Sequence, residues 1–214
     1  MLTVNEIFES VQGEGNHAGR VAIFIRFTGC NLSCSFCDTK YSWKDGTELS
    51  IKEIMDKVRE FKSMFVILTG GEPTIQPFED LQHLVSCLHH YGYQVAMETN
   101  GTNFIHPFNL PIDWITVSPK SEEFIQSEGD ELKLLYDGTQ NLEVYEKKKF
   151  RFFYLQPILP EKDLRYYLRV GVTTDQLINF MREVRVATQK CVEAAKERPL
   201  WRVSFQSHKI VGIR

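Results

Sequence analysis

Several features are missing from this chain of 214 residues, and each absence narrows its class. No apolar run is long enough to span a bilayer, and no charged segment followed by an apolar one opens the sequence. The net charge of −3 argues against the basic surface of a nucleic-acid-binding protein. No repeat, low-complexity tract or long linker occurs. We therefore expect one domain, residues 1–214, that works in the cytoplasm without a membrane or nucleic-acid partner.

Cysteine is scarce, but three of the five cysteines are clustered. Cys30, Cys34 and Cys37 follow C-x3-C-x2-C spacing, and in a reducing compartment such a cluster favours metal binding or catalysis over disulfides. A structural zinc site takes four ligands and usually pairs two separated C-x2-C units, and no second unit occurs here. Iron–sulfur chemistry is favoured, and a zinc-binding interaction module stays as an alternative. The isolated Cys87 and Cys191 are predicted to be small buried apolar residues.

Strand-like and helix-like patterns alternate along the chain, which predicts βαβ units and an α/β fold. Strands are expected over residues 21–27, 65–69, 94–99, 114–118, 131–136, 150–155 and 201–206, and helices over 50–62, 78–91 and 174–196. A complete (β/α)8 barrel takes about 250 residues and eight helices. We therefore predict a partial, open (β/α) barrel with a mainly parallel sheet. Sites in such folds gather at the carboxyl ends of strands, where all the motifs from the cysteine cluster to residues 118–120 lie.

The cysteine motif follows the strand predicted over 21–27, and Phe36 stands just before its last cysteine. In this context the motif resembles the signature of the radical S-adenosylmethionine superfamily. The resemblance implies a [4Fe–4S] cluster on Cys30, Cys34 and Cys37, with the fourth iron chelated by S-adenosylmethionine. One electron from the cluster would cleave the sulfonium to a 5′-deoxyadenosyl radical, which abstracts a hydrogen from the substrate.

The segment Gly70-Gly71-Glu72-Pro73 supports this resemblance. Its glycines lack a Cβ, so the backbone can approach a ligand closely, and the Glu72 carboxylate can accept hydrogen bonds from an ammonium group. Alone, the segment is best interpreted as a turn that ends a strand. Beside the cysteine loop it resembles the motif that holds the methionyl amino group. The residues that the resemblance assigns to S-adenosylmethionine and the cluster environment are Phe36, Cys37, Asp38, Gly71, Glu72, Glu98, Asn100, Ser118, Pro119, Lys120 and Gln156.

Further motifs narrow the resemblance. Glu9-x-x-Gln-Gly-Glu-Gly precedes the cysteines, Cys-Asp-Thr occupies 37–39, and TGGEP, ETNG, SPK and Gln-x-His-Lys (206–209) follow in order. Together they resemble the 7-carboxy-7-deazaguanine synthase family of queuosine and 7-deazapurine biosynthesis. The resemblance implies a lyase that converts 6-carboxy-5,6,7,8-tetrahydropterin to 7-carboxy-7-deazaguanine with loss of ammonia. It also implies Mg²⁺ on the Thr39 hydroxyl, an electron donor such as flavodoxin, and a homodimer.

The same resemblance assigns a set of residues to the pterin: Val11, Gln12, Gly13, Glu14, Arg26, Thr69, His208 and Arg214. A glutamine amide can pair with the donor and acceptor edge of a pterin, and an arginine can form a forked pair with a carboxylate. A charge inside an apolar strand argues against a simple surface ion pair for Arg26. The C-terminal tail is expected to close over the substrate. The alternative within the superfamily is a glycyl-radical-enzyme activase, which Gln-Gly-Glu-Gly and Thr39 disfavour.

Overall fold

The computed structural model describes residues 1–160, 166 and 169–213, so Arg214, assigned above to the pterin, lies outside the described residues. The strands are β1 Leu2–Val11, β2 Val21–Phe27, β3 Thr47–Leu49, β4 Phe65–Gly70, β5 Gln94–Thr99, β6 Trp114–Val117, β7 Glu128–Tyr136, β8 Lys149–Pro157 and β9 Trp201–Val203. The helices are α1 Ile51–Val58, α2 Phe78–His90, α3 Leu142–Glu146, α4 Thr174–Glu197 and α5 Ser207–Val211.

The strands form a single nine-stranded sheet in the order β3-β1-β2-β4-β5-β6-β7-β8-β9. Seven strands, β2 and β4 to β9, are parallel to one another. At one edge β1 is antiparallel to β2, and β3 is antiparallel to β1. Because β3 and β9 are the two edges and do not pair with each other, the sheet is not closed. The predicted α/β fold with a partial, open barrel is confirmed.

Several element boundaries differ from the predicted ones. β1 was not predicted because Asn5, Glu6 and Glu9 interrupt its apolar pattern, and β3 is only three residues long. A capping box of Ser50 and Glu53 starts α1, but the helix ends at Val58 instead of residue 62. The last strand ends at Val203 instead of residue 206, and the tail after it contains the short helix α5. Among the described helices, none combines the length and apolarity that crossing a membrane requires.

The alternation of side chains along the strands creates two different faces. Outward residues such as Ile25, Leu68 and Val95 pack in a core with α1 and α2. The N-terminal half of the inner face carries an aromatic and aliphatic cluster that includes Phe24, Phe65 and Trp114. This cluster closes the lower end of the barrel, so the polar inward residues nearer the carboxyl ends of the strands are left to line a cavity.

Candidate active site

A cavity of about 250 Å³ lies toward the carboxyl ends of the parallel strands. It brings together most residues predicted from the sequence: Val11, Gln12, Gly13, Glu14, Arg26, Cys30, Cys34, Phe36, Cys37, Asp38, Thr39, Thr69, Gly71, Glu98, Asn100, Ser118, Lys120, Gln156 and His208. Among the described site residues, Glu72 and Pro119 do not line it. The motifs, which are far apart in the sequence, therefore meet in one place.

The cysteine loop forms one wall of this cavity. Cys30, Cys34 and Cys37 are half-buried free thiols, and the Cys37 amide donates a 3.2 Å hydrogen bond to the carbonyl of Cys34. Burial raises the pKa of the Cys34 thiol, and the other two cysteines raise it further, because neighbouring thiolates repel one another.

The donor set of the loop fits an iron–sulfur cluster. Within residues 1–160, 166 and 169–213, no three His, Cys, Asp or Glu side chains converge on the position of a single ion. A [4Fe–4S] cluster binds each thiolate to a different iron, so three cysteines of one loop can hold it without meeting at a point. All three thiols line the cavity, as a cluster with one iron open to a ligand requires.

Gly71 is required by the cysteine loop itself. A Cβ at this position would lie 1.7 Å from the carbonyl oxygen of Gly29, the residue before Cys30. The next amide, of Glu72, donates a 2.8 Å hydrogen bond to that same oxygen. The glycine was predicted to let a ligand approach the backbone closely. In the structure the backbone of the cysteine loop makes this close approach, and the loop is thereby fixed against the end of β4.

The Glu72 carboxylate is fully buried beside the cavity and already has several protein donors. Its Oε1 accepts hydrogen bonds from the amide and hydroxyl of Thr74 at 3.1 and 2.7 Å and from the Thr99 hydroxyl at 2.7 Å. Its Oε2 accepts from the Asn100 amide at 2.7 Å. These contacts tie the ends of β4 and β5 together. The predicted contact with a methionyl ammonium group stays a prediction, because in this structure the carboxylate does not line the cavity.

The ends of β5 and β6 contribute polar groups near the cysteines. The Asn100 side-chain amide donates to the side chain of Asn31 at 3.0 Å and lies 3.9 Å from the Cys30 sulfur. The Lys120 ammonium donates to the Ser118 hydroxyl at 2.8 Å, and the Pro119 between them is buried. On β8, Gln156 is buried and accepts a 2.9 Å hydrogen bond from Ser204. The side chains of Asn100, Ser118, Lys120 and Gln156 therefore line the cavity in defined positions.

A group of charged and polar side chains forms the inner end of the cavity, which is defined by Gln12, Glu14, Glu98 and Lys133. Gln12 and Lys133 are buried, and the two carboxylates are partly buried. The Lys133 ammonium donates to Glu14 Oε2 and lies 3.4 Å from Glu98 Oε1. The Gln12 amide donates to Glu98 Oε1 at 3.0 Å. The Thr69 hydroxyl donates to Glu98 Oε2 at 2.9 Å. This end is therefore held by contacts between residues that are distant in the sequence.

No functional role was predicted for Lys133 from the sequence, although the residue pattern of β7 indicates one. In β7 the charged residues Glu131 and Lys133 alternate with Leu132 and Leu134, which pack in the outer core. Strand alternation then directs the charged pair into the barrel. A lysine so placed in a buried strand needs a partner, and Glu14 and Glu98 supply it.

The charges at the inner end stabilise one another. Burial alone would raise the pKa of Glu14, but the adjacent Lys133 ammonium lowers it to about 2. Burial alone would lower the pKa of Lys133, but Glu14, Glu98 and Glu131 raise it above its ordinary value. Both groups are consequently charged at neutral pH.

Arg26 lies in the cavity wall and has a protein partner. Its Nε donates to Glu6 Oε1 at 2.8 Å, and both side chains are only 16% exposed. Its guanidinium also lies 5.8 Å from the ring centre of Phe8 and 5.9 Å from that of Tyr41. The ion pair that the sequence analysis disfavoured is therefore present, although it is partly buried at the cavity instead of on the outer surface.

The C-terminal segment docks on the cavity. The Ser207 amide donates to the carbonyl of Gly13 at 3.1 Å, and a Cβ on Gly13 would lie 2.2 Å from Nδ1 of His208. Lys209 donates a hydrogen bond to Asp38 Oδ2, and its side chain is buried. Glycine at position 13 is thus required for the tail to pack closely, and residues 207–213 are held in place against the site.

Gln206 connects the two sides of the cavity. Its amide donates to Glu14 Oε1 at 2.8 Å and to Asp38 Oδ2 at 3.3 Å. The other oxygen of Asp38 accepts a 2.8 Å hydrogen bond from the Thr39 hydroxyl, the predicted Mg²⁺ ligand. No role was predicted for Gln206 or Lys209 from the sequence, since a motif does not show which side chains its members contact.

Comparison with known proteins gives consistent matches. The model of the radical SAM superfamily matches residues 24–121. The chain is 38% identical to the 7-carboxy-7-deazaguanine synthase of Bacteroides thetaiotaomicron over all of both chains. It is 36% identical to the enzyme of that name from Bradyrhizobium diazoefficiens, over 99% of this chain and 98% of the other. The crystal structure of QueE from Escherichia coli matches with a TM-score of 0.67 and 26% identity, over 95% of this chain and 93% of that one.

Proposed function

The chain belongs to the 7-carboxy-7-deazaguanine synthase family of the radical S-adenosylmethionine superfamily, and from this premise we propose that it converts 6-carboxy-5,6,7,8-tetrahydropterin to 7-carboxy-7-deazaguanine with loss of ammonia. It is a radical S-adenosylmethionine enzyme of queuosine and 7-deazapurine biosynthesis. Its cofactors are a [4Fe–4S] cluster, S-adenosylmethionine and Mg²⁺. When bound, the cluster and S-adenosylmethionine supply a 5′-deoxyadenosyl radical that abstracts a hydrogen from the substrate.

The observation that carries the proposal is the presence of two chemically different ends in one cavity. Cys30, Cys34 and Cys37 line it together with the hydrogen-bonding groups of Gln12 and Glu98. A pterin presents N–H donors and ring acceptors on one edge, which carboxylate and amide groups can match. The three cysteines would hold the cluster, and the radical chemistry that it supplies would take place beside a polar recognition surface.

The remaining roles follow from position. We propose that Asn100, Ser118, Lys120 and Gln156 contact S-adenosylmethionine, because their side chains line the cavity. The predicted pterin residues that line the cavity, Val11, Gln12, Gly13, Glu14, Arg26, Thr69 and His208, are proposed to contact the pterin. Thr39 is proposed as the Mg²⁺ ligand. Its hydroxyl donates to Asp38 and keeps its lone pairs for a cation that takes oxygen ligands and retains waters.

The test is anaerobic reconstitution of the cluster followed by addition of dithionite, S-adenosylmethionine, Mg²⁺ and the carboxytetrahydropterin. We expect both 5′-deoxyadenosine and 7-carboxy-7-deazaguanine. If only 5′-deoxyadenosine forms, the proposed substrate is wrong. Thr39→Ala should raise the Mg²⁺ concentration needed for half-maximal rate by about tenfold. Ser35→Ala, an exposed change in the same loop, is the matched control. An unchanged Mg²⁺ response in Thr39→Ala would exclude the hydroxyl as the ligand.

We further propose a flavodoxin-like electron donor at the cysteine loop, where Phe36 is 43% exposed and can contribute to a docking surface. A homodimer is proposed through α4, because its apolar residues Ile178, Met181 and Val186 are each at least half exposed. Light scattering of the purified protein measures the mass that decides between monomer and dimer. We also infer a single domain, since one sheet includes every described strand, and a reducing, cytoplasmic setting, since the loop needs free thiols.

A further inference from the structure

Lys133 lies at the inner end of the cavity, and its positive charge matters because the proposed substrate is an anion. This inference rests on the proposed function, in which the ligand is a pterin that carries a carboxylate. Two carboxylates, those of Glu14 and Glu98, line the inner end of the cavity, and the Lys133 ammonium contacts both. An anionic ligand that enters such a place meets strong repulsion unless the local charge is compensated. The source of that compensation decides which ligands can bind.

The other cations near the cavity contact different groups. Arg26 forms an ion pair with Glu6, Lys209 is bonded to Asp38, and Lys120 donates to the neutral Ser118 hydroxyl. Lys133 differs because its side chain is only 6% exposed and its ammonium lies between Glu14 and Glu98. It is therefore the cation in direct contact with the carboxylates of the inner end.

The two carboxylates keep other hydrogen bonds that do not depend on Lys133. Glu98 accepts from the Gln12 amide and the Thr69 hydroxyl, and Glu14 accepts from the Gln206 amide. These neutral donors fix the positions of the carboxylates without changing their charge. The contribution that is particular to Lys133 is consequently its positive charge.

We propose that Lys133 is a specificity-determining residue, whose ammonium neutralises Glu14 and Glu98 so that the cavity accepts a carboxylated pterin. Without this ammonium, a ligand carboxylate that enters the cavity meets two uncompensated negative charges at its partly buried inner end. A ligand with the same ring but no carboxylate experiences little of this repulsion. Loss of the Lys133 charge should therefore weaken binding of the carboxylated pterin much more than binding of the pterin without a carboxylate.

The experiment measures binding of 6-carboxypterin and of unsubstituted pterin to the reconstituted enzyme by fluorescence titration. We expect Lys133→Met to weaken 6-carboxypterin at least about tenfold and pterin less than about threefold. Lys133→Arg, which retains the charge, should stay close to the wild type. Lys57→Met, on the exposed face of α1, is the matched control and should change neither affinity.

A second pair of variants separates charge from shape. Glu14→Gln removes one negative charge and keeps an oxygen for Gln206, so it should shift the affinity ratio toward 6-carboxypterin. Adding Glu14→Gln to Lys133→Met should recover most of the loss. Glu14→Gln also keeps the test decisive if Lys133→Met fails to fold, which thermal unfolding reports.

The possible outcomes separate failure of the proposed role of Lys133 from failure of the proposed function. If the wild type binds neither pterin, the proposed function and this inference both fail. If the wild type binds 6-carboxypterin but Lys133→Met loses both ligands equally, the role of Lys133 is structural and the inference is overturned while the function stands. An unchanged affinity ratio in Glu14→Gln overturns it in the same way.

Discussion

The cysteine end of the cavity, defined by Cys30, Cys34 and Cys37, differs from its inner end in how its side chains are held. The thiols are half-buried and belong to one short loop. The inner end is built by contacts between distant residues, such as Lys133 with Glu14 and Gln12 with Glu98. The three proposed cluster ligands therefore come from one short stretch of sequence. The polar side chains proposed to recognise the pterin come from distant parts of the sequence and are brought together by the fold.

The largest expected effect belongs to the cysteine end. Cys34→Ala removes one cluster ligand, so both 5′-deoxyadenosine and the deazaguanine product should disappear. Stability should change by less than about 1 kcal/mol, because the side chain is half-buried and small. Product chromatography, iron content and thermal unfolding measure the three quantities. Cys87→Ala, a half-buried cysteine on α2, is the control and should keep its iron. Retained turnover in Cys34→Ala would show that the reaction does not need the cluster. The cysteine end would then not be the cofactor end of the cavity.

A second prediction concerns Glu72, which is buried beside the cavity. In Glu72→Gln, one acceptor oxygen becomes an NH₂ group that faces donors such as the Asn100 amide or the Thr99 hydroxyl. Leaving such buried groups unmatched should lower the free energy of unfolding by about 1–3 kcal/mol. Denaturant unfolding measures it, with Glu79→Gln on the exposed first turn of α2 as control. Unchanged stability together with weaker binding of S-adenosylmethionine would favour the ammonium contact predicted from the sequence.

The smallest expected effect is the pH dependence of the inner end. The pKa of Glu14 is lowered from 4.5 to about 2, so its ionised form stabilises the fold. This stabilisation is complete above the unfolded pKa and is lost as the pH falls toward the folded one. Between about pH 6 and about pH 3, the wild type should lose more free energy of unfolding than Glu14→Gln, by up to about 2 kcal/mol. Parallel pH curves for the two proteins would show that Glu14 is not stabilised by Lys133.

The same contrast explains what could be predicted from the sequence. The cysteine loop and the strand-end motifs are local patterns, and strand alternation with helices was enough to predict an open parallel barrel. Lys133, Gln206 and Lys209 act through partners more than a hundred residues away, at separations of 119, 192 and 171 positions. No local pattern gives those pairings. β1 was missed for a related reason, because its charged residues have partners on other segments, as Glu6 has in Arg26.

The contact between Gly71 and Gly29 has a consequence for protein engineering. The carbonyl of Gly29 occupies the place where any other residue at position 71 would carry its side chain. The cysteine loop therefore depends for its shape on a strand that begins almost thirty residues after its last cysteine. A designer who transplanted residues 29–39 into another barrel would have to transplant the glycine-bearing end of β4 as well, because the loop is not a portable module.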